Sequence, residues 1–327
     1  MTLTRIGFVG AGRIANRHLG NLLAFADVQV AAFADPQVQS AEAAAARAGA
    51  NAYADYREML DRERLDALYI CTPPFAHGAP ELAAIEHRLP FFVEKPLAAD
   101  LGTAVEIARG VEAQSLITAA GYHWRYLDIT EEMLERLDRN PPRLVIGYWL
   151  DATPPVSWWV SEQQSGGQMV EQTTHVFDMV RLVAGEVAEV YAFGSRLDRA
   201  AFPSSDIWDV STAALRFVNG AVGSVSSTCI LRWPHRMGVH LFCEGLAIEI
   251  SEFELMVDVG KGRPVRRAAG DPFVREDRDF IDAVQGKVNR IRAPYHEALR
   301  THRLATAATR SAREGRPVVP EQQEAHG

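Results

Sequence analysis

The sequence predicts an α/β protein in two parts. A domain with a parallel sheet covered on both faces comes first, followed by a separate α+β domain with a mostly antiparallel sheet. Three observations carry this. Apolar runs alternate with helix-forming segments over residues 5–120, the pattern of strands covered on both faces. A glycine-rich turn, Gly10-Ala11-Gly12-Arg13-Ile14-Ala15, separates the first run from the first helix. Beyond residue 124 strand-like runs are joined by short turns such as Asn219-Gly220, a strong hairpin signal. At 327 residues the chain suits about two domains, with the boundary expected between 123 and 124.

In chain order, an apolar run over 5–10 ends in glycine, and Ile14, Leu19, Leu22 and Leu23 then follow at helical spacing. Val28 to Ala34 reads as the second strand. Ser40 to Ala48 is an alanine-rich helix that Gly49 can cap. Ala67 to Thr72 is a strand broken by Pro73-Pro74, Pro80 to His87 a helix, and Phe91 to Val93 a strand ended by Pro96. Asp100 suits the N-cap of a helix reaching about Ala113, before a strand over Leu116 to Ala120. In the second half, helices are expected over 128–138 and, unbroken, over 168–184, with strands at 143–150 and 187–193. Residues 211–218 and 221–228 flank the Asn-Gly turn, and further hairpins fall at Glu244-Gly245 and Gly260-Lys261-Gly262. Helices from Asp277 to Val284 and Tyr295 to Arg313 are expected to complete the second domain.

Composition narrows the function classes. Lys plus Arg total 34 against 42 for Asp plus Glu, a net charge of −8. That is a poor match for phosphate neutralisation, so no nucleic-acid partner is expected. No window approaches ~18 uninterrupted apolar residues, and strand-like Arg5 to Val9 begins too early for a signal peptide. A cytoplasmic protein without a membrane partner is the expectation. Cys71, Cys229 and Cys243 are widely spaced and lack a CxxC pair, reading as buried small hydrophobes in a reducing compartment.

Four motifs carry chemistry. The glycine turn fits G-x-G-x-x-G/A: Gly10 allows the tight turn, Gly12 lets backbone approach a pyrophosphate, and Ala15 lets helix and strand pack closely. Amides and dipole at the helix start, from Arg13 and Ile14 onward, then face the phosphates. Asp35 ends the second strand, where a carboxylate accepts from a ribose 2′-OH and repels a 2′-phosphate. This favours NAD over NADP, although Asp-Pro is also plain turn chemistry. Glu94-Lys95-Pro96 closes a strand on the ligand edge of the sheet, where a lysine can meet a substrate oxygen; a solvated strand end reads the same way. Finally, on one continuous helix Glu171, His175 and Asp178 would share a face. An imidazole there suits proton transfer. A core histidine, or a metal bound by this triplet, is the alternative.

Together with Thr72-Pro73-Pro74-Phe75-Ala76-His77, these motifs resemble the glucose-fructose oxidoreductase / inositol dehydrogenase / MocA family over nearly the whole chain. The resemblance implies that Lys95 and His175 are the catalytic pair, with Glu171 beside them. It implies a Rossmann fold for the first domain, NAD bound by Gly10, Gly12, Arg13, Ile14, Asp35, Thr72, Pro73, His77 and Glu94, and a large open sheet in the second that packs in homodimers or homotetramers. No metal is expected, since the sequence offers no zinc-like cluster. The family commonly has Asp where this chain has Glu171, so its substrates do not transfer directly. The expected activity is hydride transfer between nicotinamide and a secondary alcohol of a sugar or polyol. Tyr122, His123, Trp124, Arg125 and Tyr126 are candidate substrate contacts at the domain junction, Lys95, Glu171 and His175 also touching substrate. Interdomain packing is the competing use for the aromatic run. Trp158 and Trp159 suit either a site rim or a subunit interface. A regulatory protein of the same fold, binding NAD and a ligand without catalysis, is the alternative function; it would need neither Lys95 nor His175.

Overall fold

The computed structural model describes residues 3–320, which form two compact units. The first unit holds strands β1 (Thr4–Val9), β2 (Val28–Ala34), β3 (Asn51–Tyr53), β4 (Ala67–Ile70), β5 (Phe91–Val93) and β6 (Thr118–Ala120), in the order β3-β2-β1-β4-β5-β6. Every pairing is parallel. Strands apolar on both faces need helices on both, and α1 (Arg13–Leu22), α2 (Val38–Ala48), α3 (Tyr56–Arg62), α4 (Ala79–Glu86) and α5 (Leu101–Gln114) are the crossovers. Gly49 ends α2 in the left-handed region, φ 63°. Apolar patterning does not announce β3 or α3: one is three residues long, the other starts from an Asp55 cap rather than an apolar run. Phe33, Phe8, Tyr69 and Phe92, one from each of four adjacent strands, stack in a row at centroid spacings of 4.8, 5.0 and 5.0 Å.

The second unit begins with α6 (Asp128–Leu137) and β7 (Leu144–Ala152), then α7 (Glu162–Ser165), α8 (Gln168–Glu171) and α9 (Thr174–Ala184). Strands β8 (Val187–Ser195), β9 (Val210–Phe217), β10 (Val222–Leu231), β11 (Arg236–Cys243), β12 (Leu246–Ile250), β13 (Glu254–Asp258) and β14 (Val265–Arg267) follow. They form one sheet with β7, ordered β14-β13-β12-β11-β7-β10-β9-β8. Its pairings are antiparallel except β7 with β10. The expected hairpins join β9 to β10, β11 to β12 and β13 to β14. A Cβ on Gly147 would stand 2.4 Å from Val176, so that glycine lets α9 pack closely on β7.

Two expectations are corrected. The helix expected over 168–184 is broken: α8 ends at Glu171, the Thr173 amide bonds back to Gln168 O at 3.0 Å, and α9 restarts at Thr174. Apolar spacing continues through the break, so periodicity does not reveal it. The chain is also not cut once. Residues 271–298 belong to the first unit and 99–101 to the second. The cause is α10 (Pro272–Val284), which starts at an Asp271 cap with Pro at its first position, earlier than Asp277. Its Phe280 and Ile281 are fully buried in the first unit's core, Phe280 edge-on to Tyr69 and Phe92 at 5.5 and 5.9 Å. The last helix, α11 (Tyr295–Glu314), follows. The three cysteines are unpaired thiols, Cys71 and Cys229 buried and Cys243 partly exposed. Among the described residues no helix is long and apolar enough to cross a membrane.

Candidate active site

Parallel strands bring their following loops to one edge of the sheet, where ligands of doubly wound folds bind. Gly10 follows β1, Asp35 follows β2, Thr72 and Pro73 follow β4, and Glu94 and Lys95 follow β5. Gly10 has φ +92°, and a Cβ there would meet the Cys71 carbonyl oxygen at 2.5 Å. A Cβ on Gly12 would meet nothing within 4 Å. The turn is therefore tight against β4 and open at Gly12, a cradle that fits a pyrophosphate. No side chain caps the start of α1, which leaves its first amides for phosphate oxygens. Arg13 is exposed and Ile14 half-buried at that helix start.

Asp35 is anchored to the same turn. Its Oδ2 accepts from the Ala11 amide at 2.9 Å and its Oδ1 from the Gln37 amide at 2.8 Å. A carboxylate accepts about four hydrogen bonds, so capacity for ribose hydroxyls remains. Thr72 and Pro73 are half-buried. His77 is buried, its Nδ1 2.5 Å from Glu81 Oε1, and Glu81 Oε2 accepts from the Gly78 amide. Tyr122, after β6, is fully buried in the first unit, and His123 stacks on Phe273 at 4.2 Å.

Glu94 points inward. Its Oε1 lies 2.9 Å from His18 Nε2, and its Oε2 accepts from the Lys95 backbone amide at 3.1 Å. His18 Nδ1 lies 2.7 Å from Asp277 Oδ1, whose other oxygen accepts from Asn21 Nδ2 at 2.8 Å. Burial depresses the His18 pKa, but Asp277 and Glu94 outweigh it and hold the imidazole well above its ordinary value. Burial pushes the neighbouring Glu276 carboxyl up, with Glu94 and Asp277 adding to it and His18 opposing. Sequence reasoning missed this cluster. Its one signal was a histidine four residues after Ile14 and four before Leu22, inside an apolar stripe.

In the second unit His175 sits in the first turn of α9, buried beside Trp124 and Trp149, whose indoles lie 6.1 Å from each other. The two indoles lie 5.9 and 5.8 Å from the imidazole, with planes within 19° and 18° of it. Glu171, at the end of α8, accepts from the Trp159 indole N–H at 2.6 Å. Trp159 and Trp149 are further residues whose placement the sequence left open. Asp178 does not join Glu171 and His175. It receives a two-point contact from Arg125 (2.7 and 2.8 Å) and the Thr301 hydroxyl at 2.8 Å. Arg125 is thus engaged as a buried brace of α9, and Tyr126 beside it is buried too. Among the described residues the one group of three with metal-ligand geometry is His18, Glu94 and Glu276, so the Glu171–His175–Asp178 metal reading loses its basis.

The family model described as "Oxidoreductase family, NAD-binding Rossmann fold" matches residues 4–122, and the model of the Gfo/Idh/MocA C-terminal domain matches residues 141–249. The chain belongs to the Gfo/Idh/MocA oxidoreductase family. Among its relatives, the oxidoreductase YrbE of Bacillus subtilis is 26% identical over 97% of both chains. The myo-inositol 2-dehydrogenase of Thermotoga maritima is 28% identical over 68% of both. The fold is likewise that of the WlbA dehydrogenase from Bordetella pertussis, solved with NADH and UDP-GlcNAcA. The TM-score is 0.85 at 21% identity, covering 98% of this chain and 100% of that one. The NAD-binding Rossmann domain and the largely antiparallel second sheet are the two halves this family combines.

Proposed function

We propose that this family member is an NAD-dependent dehydrogenase that oxidises a secondary alcohol of a polyol, a sugar or a close derivative, or reduces the matching ketone. The observation that carries the reading is the retention of both Lys95, closing β5, and His175, opening α9, within an NAD-binding oxidoreductase family; binding alone would need neither. Inositol as the substrate of the Thermotoga relative points to the polyol class.

Bound nicotinamide supplies the hydride acceptor or donor. The chain does the rest. His175 takes the hydroxyl proton in the oxidative direction, its ring packed beside two tryptophans that offer no competing proton acceptor. The Lys95 ammonium stabilises negative charge developing on the substrate oxygen. Glu171 orients a neighbouring hydroxyl, its carboxylate turned by the Trp159 N–H. Gly10, Gly12 and the start of α1 hold the pyrophosphate, with Thr72, Pro73 and His77 lining the cofactor beyond it. Asp35 receives the ribose 2′-OH and rejects a 2′-phosphate. Tyr122 and Trp124 are 0% and 1% exposed, which favours packing over sugar contact as the use of these two rings. The test is NADH absorbance during a screen of inositols, sugars and their ketones. Turnover of at least one polyol or its ketone is expected; NADH binding with no turnover across the panel would contradict the reading.

A further inference from the structure

We propose that His18 is a positioning residue: clamped between Asp277 and Glu94, it holds the Glu94 carboxylate on the backbone of Lys95 and so fixes where that lysine stands. The inference rests on the proposed role of Lys95 and extends it to residues outside the motifs.

The contacts form one chain. Asp277 Oδ1 accepts from His18 Nδ1 at 2.7 Å, His18 Nε2 donates to Glu94 Oε1 at 2.9 Å, and Glu94 Oε2 accepts from the Lys95 amide at 3.1 Å. Asn21 secures the far end through the second Asp277 oxygen. With a carboxylate at each ring nitrogen, both nitrogens must donate, which makes the ring an imidazolium and both bonds charge-assisted. Other groups face it from the packed elements: Glu276 from α10, and Tyr69 and Cys71 at the end of β4. All are buried, and burial pushes the proton of each toward staying on. Tyr69 and Phe92 wall the ring at centroid distances of 5.4 and 4.9 Å, and Phe273 covers it at 5.9 Å. No bulk water screens the chain.

An independent feature points the same way. A Cβ on Gly121 would stand 2.7 Å from both Glu94 oxygens, so the bare glycine after β6 leaves the space in which the carboxylate folds back over Lys95. His18 thereby ties three parts of the unit: α1, which begins at the glycine turn, the end of β5, and α10.

Removing His18 alone would strand two buried carboxylates and endanger folding. The test therefore uses two milder changes. The double variant His18→Gln/Asp277→Asn exchanges the ion pair for an amide pair that keeps donors and acceptors. Gly121→Ala disturbs the Glu94 carboxylate and leaves His18 in place. Each is measured for NADH affinity by fluorescence and for kcat and KM with the best substrate, beside Lys95→Ala. Both are expected to bind NADH within about threefold of wild type while kcat falls on the order of 10- to 100-fold, as displacement of a reacting group by about 1 Å does. Side-chain ¹⁵N shifts should show a doubly protonated histidine at neutral pH that the double variant loses.

Near-wild-type kcat in both variants, beside an inactive Lys95→Ala, would overturn the positioning role alone. A Lys95→Ala enzyme of normal kcat would overturn the lysine's role and this inference with it. A neutral ring in the ¹⁵N spectrum, or stoichiometric metal bound by His18, Glu94 and Glu276, would also overturn it.

Discussion

Asp35 holds the glycine turn by one oxygen and its own following turn by the other, so its charge stands where a ribose would meet it. NAD should bind far more tightly than NADP, and Asp35→Ala should narrow the gap; equal wild-type affinities, measured by fluorescence titration, would contradict the assignment. Glu171 gives a second prediction. If it orients a substrate hydroxyl, Glu171→Gln should chiefly raise KM. Trp159→Phe removes the indole N–H together with the pyrrole ring that carries it and should shift KM the same way, by about 10- to 100-fold, the worth of one hydrogen bond to a charged group, with thermal unfolding checking that the smaller ring leaves the buried site folded. Kinetics of both across pH decide, and wild-type behaviour in both would make Glu171 a bystander. At this scale the sequence was legible where chemistry lies in short runs: the glycine turn, Asp35, Glu94-Lys95-Pro96 and His175. His18 was not, because its partner Asp277 lies 259 residues away and nothing local marks the pair. Arg125 shows the converse: an arginine in an aromatic run invites a substrate role, and its fork is spent on Asp178.

Elements with their own apolar period and a capping signal came through, among them the parallel strands, α2 with its Gly49 cap, and the hairpin at Asn219-Gly220. The break between α8 and α9 did not, since the apolar spacing runs on across it. The destination of α10 was hidden as well, for an amphipathic face states that it needs a core and not which one. Phe280 decides it by closing the aromatic row of the first sheet. Phe280→Ala should cost about 3–5 kcal/mol, as truncations of buried Phe do. Thermal unfolding checks this; a loss below about 1 kcal/mol would mean that α10 is held chiefly by its polar contacts.

The second unit leaves a question about the assembled molecule. Along β7, Val145 and Trp149 point to the core, while Leu144 and Ile146 point outward and stay 39% and 36% exposed. Leu144 pairs across the sheet with Phe242 on one side and Val222 on the other, and these are 37% and 51% exposed. An outward row of apolar side chains at the middle of a sheet is what an interface uses. We propose that this face joins copies of the chain into a dimer or tetramer. Sedimentation should give an oligomer for wild type and a shift toward monomer for Ile146→Glu; a monomeric wild type would contradict it. The proposed hydride transfer rests on Lys95 and His175. The most direct test is single-turnover NADH formation from a polyol that the screen identifies, in wild type, Lys95→Ala and His175→Ala, with NAD binding measured alongside. The rate should fall by about 10²–10⁴ in each variant with cofactor affinity kept; turnover within about tenfold of wild type in the variants would show that neither side chain serves the transfer.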